Sequence, residues 1–100
     1  MMPIPERWKA FCQGAADASE CYRFLQDLSM GRGLHAPMAY INVDGAVTVH
    51  RRNDNQFQWY SAQAAAWCWT RSLVRRAFKW ETYRPRYIIT KKGRQAVGAR

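Results

Sequence analysis

From Ser61 to Lys79 the apolar residues return every three or four positions, the spacing of one long amphipathic helix. At about 100° per residue Ala62, Ala65, Ala66, Trp69, Leu73 and Ala77 fall on one side. Arg71, Arg75 and Lys79 line up opposite, one turn apart, with Trp67, Val74 and Phe78 between the two faces. Ser61 stands where an N-cap belongs, and the three cations lie towards the C-terminal end, where the helix dipole favours them. The same spacing runs through Trp8, Phe11, Cys12, Ala15, Ala18, Tyr22 and Leu25, with Pro5 in the first turn. Residues 5–30 therefore read as a helix, or as a helix pair meeting near Ala16, where Asp17 and Glu20 have capping-box spacing. Gly31 and Gly33 end this segment.

Between these helices the period is two. Ala39, Ile41 and Val43 alternate with Met38, Tyr40 and Asn42, and Val47 and Val49 continue the pattern after Asp44-Gly45, which fits a two-residue hairpin turn with positive φ at both positions. Asn53-Asp54-Asn55 makes a second turn into a short strand, 56–60, with Phe57 and Trp59 on one face. Residues 83–90 form a fourth strand, with Tyr87 and Ile89 on one side and Arg84, Arg86 and Ile88 on the other. Pro85 cannot donate a ladder bond, which places that strand at an edge or a bulge. Thr90 caps a last short helix that Gly93 and Gly98 weaken. The fold class expected is α+β: N-terminal helix or helix pair, three-stranded antiparallel meander, long amphipathic helix, edge strand, short C-terminal helix, with the helices on one face of the sheet.

Composition adds a single domain over residues 1–100, since this length suits one modest core and no linker or repeat interrupts it. Charge changes the picture more. The formal net charge is +9, yet residues 1–50 hold four Arg or Lys against five acids, while residues 51–100 hold twelve against Asp54 and Glu81. A cationic second half calls for a polyanionic partner: nucleic acid first, DNA before RNA, or an acidic protein surface. Cys12, Cys21 and Cys68 are an odd number with no Cys-x-x-Cys pair, so they read as buried apolar thiols in a reducing, cytoplasmic setting. No secretory signal and no membrane-length apolar run is visible.

Catalysis finds no support. His35 and His50 are the only histidines, and neither has acidic or cysteine neighbours at metal-ligand spacing. His50, beside Arg51 and Arg52, reads as a strand-face residue of the basic patch, and there is no glycine-rich phosphate loop. The expectation is a non-enzyme without cofactor or metal.

Leu73-Val74-Arg75-Arg76, followed by Arg86-Tyr87-Ile88-Ile89-Thr90-Lys91-Lys92-Gly93-Arg94, resembles the end of a winged-helix DNA-binding domain. In that family a recognition helix runs into a strand, a wing follows, and a strand ends in Leu-Thr-x-x-Gly-Arg before a closing helix. Here Ile89-Thr90-Lys91-Lys92-Gly93-Arg94 stands at that ending. The resemblance implies a recognition helix from Ser61 to about Arg76, with Arg84 and Arg86 in the wing. It covers about a third of the chain, and the hairpin and strand before it depart from the family's helix-turn-helix. The helix, three strands, helix order of residues 5–79 also resembles in outline the double-stranded RNA-binding domain, although Ser61-Ala62-Gln63-Ala64 lacks the lysine cluster that opens its second helix.

These readings converge on a small nucleic-acid-binding protein, a DNA-binding regulator of phage or prophage type. Its contacts would be Arg71, Arg75, Arg76, Lys79, Arg84, Arg86, Lys91, Lys92 and Arg94. Trp67, Phe78, Trp80 and Tyr83 stand beside these cations as stacking or core residues. The rival reading is a phage-type protein inhibitor of a host complex, similar to anti-CRISPR proteins, acting through protein contacts and an aromatic anchor such as Trp80. A homodimer through an edge strand stays open.

Overall fold

The structure, a computed structural model, describes residues 18–31, 36–52, 54–79 and 84–98, with the backbone alone at 78, 79 and 84. The expected helix over 5–17, together with Cys12, His35, Trp80 and Tyr83, lies outside the described residues. The element order is α1 (Ala18–Leu28), β1 (Met38–Ile41), β2 (Val47–Arg51), β3 (Gln56–Tyr60), α2 (Ala62–Thr70), β4 (Val74–Lys79), β5 (Arg84–Ile89) and α3 (Lys91–Ala96). The five strands form one antiparallel sheet in the order β3-β2-β1-β5-β4.

The α+β class and the meander stand as the sequence predicts, and the strand at 56–60 falls where expected. The hairpin does not use a two-residue turn. The Gly45 N–H donates to the Asn42 carbonyl at 2.9 Å and the Asn42 N–H to the Ala46 carbonyl at 2.7 Å. Among Val43, Asp44 and Gly45 only Gly45 has positive φ, at 88°, so the loop has three residues and ends in a glycine bulge. Asp44 contributes its carboxylate, which accepts the Ala46 N–H at 3.0 Å.

The long helix is the main correction. Ser61 does cap α2, its hydroxyl accepting the Ala64 N–H at 3.2 Å, but the helix stops at Thr70. Ser72 takes φ 61°, its N–H donates to the Trp69 carbonyl, and the Leu73 N–H reaches back to the Cys68 carbonyl, both at 3.0 Å. This paired closure is a Schellman motif with serine in the left-handed position usually held by glycine. The following residues join β4, where six register pairs with β5 and the burial of Leu73 and Val74 outweigh helix continuation. The buried side of α2 is accordingly Ala64, Ala65 and Cys68, whereas Ala66 and Trp69, expected in the buried stripe, are exposed.

The strand carrying Pro85 is interior, between β1 and β4. Its pairing with β1 covers Tyr87 and Arg86 and ends before Pro85, so the missing N–H falls beyond that ladder. Among the described residues the edges of the sheet are β3 and β4. Against the winged-helix resemblance, β4 and β5 extend the meander's sheet instead of forming a separate wing, and the segment to Arg76 is part strand. The same two strands carry the sheet beyond the three-stranded outline of the double-stranded RNA-binding domain, with β5 paired to β1.

All three described helices lie on the face that carries Ala39, Val47, Val49, Tyr60, Val74 and Tyr87. Cys21, Phe24, Leu25 and Leu28 of α1 fill the centre, and the Phe24 ring meets Tyr60 at 5.2 Å and Tyr87 edge-on at 6.1 Å. Cys21 and Cys68 are buried free thiols, as their sequence setting predicts. Glu20 of α1 holds the start of α2, accepting the Ser61 N–H at 3.1 Å and the Ser61 hydroxyl. Thr90 caps α3 by accepting the Gly93 N–H at 3.0 Å.

Candidate nucleic-acid interface

The period-two alternation that sends valines into the core sends the intervening residues to the opposite face. Strand register fixes who meets whom there. One row runs Trp59, Thr48, Tyr40, Arg86, Ala77, and the next brings Phe57, His50 and Met38 together with Arg75 opposite Ile88. Phe57 is 63% and Trp59 58% exposed, side by side on the edge strand. The His50 ring stacks on Phe57 with centroids 4.5 Å apart and planes 5° from parallel, and its Nε2 lies 2.8 Å from Asn55 Oδ1. The aromatic surface is thus a braced, flat one.

Cations continue this face. Arg75 is exposed, and Arg86 is half-buried with Nη1 2.9 Å from the Met38 sulfur, a weak acceptor, and a buried Nε that has no hydrogen-bond acceptor. Neither arginine is in an ion pair with a carboxylate of the described residues. Lys79 and Arg84 pair with each other at the end of the β4-β5 hairpin, in register phase with Arg75 and Arg86.

The structure divides the nine expected contacts. Arg75 and Arg86 belong to the face that carries Phe57 and Trp59, whereas of Lys79 and Arg84 the structure describes the backbone alone. Arg71 instead lies over Trp67, 4.0 Å from the ring centroid, at the C-terminus of α2. Arg76 turns to the helix side, 3.8 Å above the Trp69 ring and within 3.3 Å of the Tyr87 hydroxyl, to which it donates. Lys91 and Lys92 are exposed in the first turn of α3, and Arg94 donates to the Ser29 carbonyl at 3.3 Å, tying α3 to α1. The cationic helix stripe of Arg71, Arg75 and Lys79 does not exist as such. Phe57, Trp59 and Tyr40 were not among the expected site residues. Their signal was the Gln-Phe-Gln-Trp alternation, which sets two large rings on a face where the neighbouring strands offer Thr48 and His50 in place of core residues.

On the helix side, α1 and β3 border a groove lined by Arg23, Asp27, Met30, Arg51, Gln58 and Tyr60. Asp27 is buried at its base, where Oδ2 accepts the Tyr60 hydroxyl at 2.9 Å. Its Oδ1 accepts no hydrogen bond and lies 3.8 Å from Arg51, which also pairs with Asp54 at 3.4 Å. Burial raises the Asp27 pKa above its ordinary 3.8, against the lowering effects of the Tyr60 hydrogen bond and Arg51. Burial, with the adjacent Asp27 charge, likewise holds the Tyr60 phenol above its ordinary 10.0.

Among the described residues no cluster of three or more His, Cys, Asp or Glu could hold a metal, and no helix is long and apolar enough to cross a membrane. The chain matches no protein-family model, no curated protein and no solved structure, which leaves geometry and charge as the grounds for a functional reading.

Proposed function

We propose that the protein binds nucleic acid, and that it does so by laying a single strand across the sheet face instead of inserting a helix into a groove. The observation that carries this reading is that one face of the sheet bears two exposed aromatic side chains on β3, Phe57 and Trp59, and, three and four strands across, arginines on β5 and β4, a span of about 14–19 Å that an extended strand can bridge. Unpaired bases stack on such rings at about 1–3 kcal/mol each, while Arg75 and Arg86 offer phosphate contacts across the sheet. A duplex hides its base faces and gains only the phosphate contacts. Regulation of phage or prophage type would be a use of such binding.

The test is a titration against single-stranded DNA, single-stranded RNA and duplex DNA at two salt concentrations. Single strands should bind more tightly than duplex, and Trp59→Ala should weaken single-strand binding by about 5- to 150-fold, the equivalent of one lost stacking contact. Absence of binding at low salt, or indifference to Trp59→Ala, would overturn the proposal. The rival, a protein inhibitor of a host complex, is favoured by the unpaired edge of β3, and it would lead if no nucleic acid bound.

A further inference from the structure

A sheet ends in rows of unpaired N–H and C=O groups, and folded proteins blunt such edges with charge, proline or a covering element. The two edges here are treated differently. β4 carries Arg75, Arg76 and Lys79 within six residues, so strand addition there by a second copy would bring like charges together. β3 carries no charge and no proline, and Gln56, Phe57, Gln58 and Trp59 are all exposed. The stretch without any charged side chain extends from residue 55 to 70. Beside this edge Met30, 53% exposed, lines the groove between α1 and β3. Of the five large hydrophobic residues exposed among the described ones, three (Met30, Phe57 and Trp59) therefore lie on or beside β3, whose outer edge has no partner among the described residues.

We infer that β3 pairs antiparallel with β3 of a second copy of this chain, about a twofold axis through Gln58 and normal to the sheet. Charge argues for this occupant. A chain of net charge +9 is repelled by its own basic surface, so two copies approach at least cost where neither carries charge. The strand is also self-complementary about its middle residue. Gln58 meets its counterpart, and Phe57 lies opposite the second copy's Trp59, an aromatic cross-strand pair of the kind that stabilises antiparallel sheets. Each β3 edge is used once and β4 is blocked by its cations, so the assembly closes at two chains and ten strands.

An axis normal to the sheet keeps the faces distinct. The two aromatic faces would merge, with the Phe57 and Trp59 rings of both copies in the middle and the cations of β4 and β5 towards both ends. The pairing itself does not depend on nucleic-acid binding.

Sedimentation and light scattering of the full chain across a concentration series test it. The expected result is a concentration-dependent species of twice the 11.7 kDa chain mass. Gln56→Lys with Gln58→Lys puts four lysines at the seam on exposed positions. It should leave the circular dichroism unchanged and weaken dimerisation by at least about tenfold. Mixing this variant with the Gln56→Glu, Gln58→Glu variant should restore a mixed dimer. A monomer at every concentration, a dimer indifferent to both charged variants, failure of the mixture to associate, or growth beyond two chains would each overturn the inference. Arg75→Ala lies at the far edge of the sheet and leaves the β3 seam intact, so its single-strand binding reads the nucleic-acid proposal separately.

Discussion

Gly93 looks from sequence like a weak point in a short helix, but its surroundings require it. A Cβ there would clash with the Leu73 carbonyl oxygen, which belongs to backbone that also receives the Thr90 N–H at 3.1 Å and cannot withdraw. Gly93→Ala is expected to destabilise the protein by at least about 2 kcal/mol despite alanine's better helix propensity, as urea denaturation would show. Tyr60 is a second such residue, because its hydroxyl is the hydrogen-bond donor to buried Asp27. Tyr60→Phe should cost about 1–3 kcal/mol where Asp27 is ionised, and less on acidification, where a protonated carboxyl needs that donor less. The wild-type protein has its own pH dependence. A carboxyl whose folded pKa is raised favours folding fully below 3.8 and loses that contribution as pH rises through the raised value. Asp27→Asn should flatten this part of the stability profile, measured by denaturation at a series of pH values.

The elements show which patterns can be read in one dimension. The meander was legible because alternation in Met38–Ile41, Val47–Arg51 and Gln56–Tyr60 fits only a half-buried strand. The segment after Thr70 was not, because residues four apart share a face on a helix and also on a strand. Arg75 and Lys79 therefore satisfy both readings, and the choice is made by β5, distant in sequence, and by the turn at Ser72. That turn gives a prediction. Ser72 holds φ 61° without glycine's freedom, so Ser72→Gly should stabilise the protein by about 0.5–1 kcal/mol, seen as a raised urea midpoint. The same substitution in a continuous helix would have destabilised it, so the sign of the change tests where α2 ends. The interior position of β5 escaped the sequence for a related reason, since Pro85 forbids a ladder bond only where a partner strand reaches it, and β1 stops short.

At the scale of the molecule, the sequence reveals how much positive charge there is but not which side each cation takes. Arg75 and Arg76 are neighbours in the chain and lie on opposite faces of the sheet, one on the face that carries Phe57 and Trp59, at the far edge from them, and the other over Trp69. If nucleic acid runs along the Phe57 and Trp59 face, these two arginines have exchangeable roles nowhere. Arg75→Ala should reduce the salt slope of single-strand binding by about 0.7, the loss of one phosphate contact, with thermal stability unchanged. Arg76→Ala should leave the slope in place and lower stability by about 0.5–1 kcal/mol, through the lost stacking on Trp69 and the lost hydrogen bond to Tyr87. Helix-side binding would reverse the two slopes, with Arg71 and Arg76 setting the slope and Arg75 silent, while the stability loss of Arg76→Ala would stay. Measuring slope and stability for both variants decides which face of the sheet carries the function, whatever sequence the nucleic acid has.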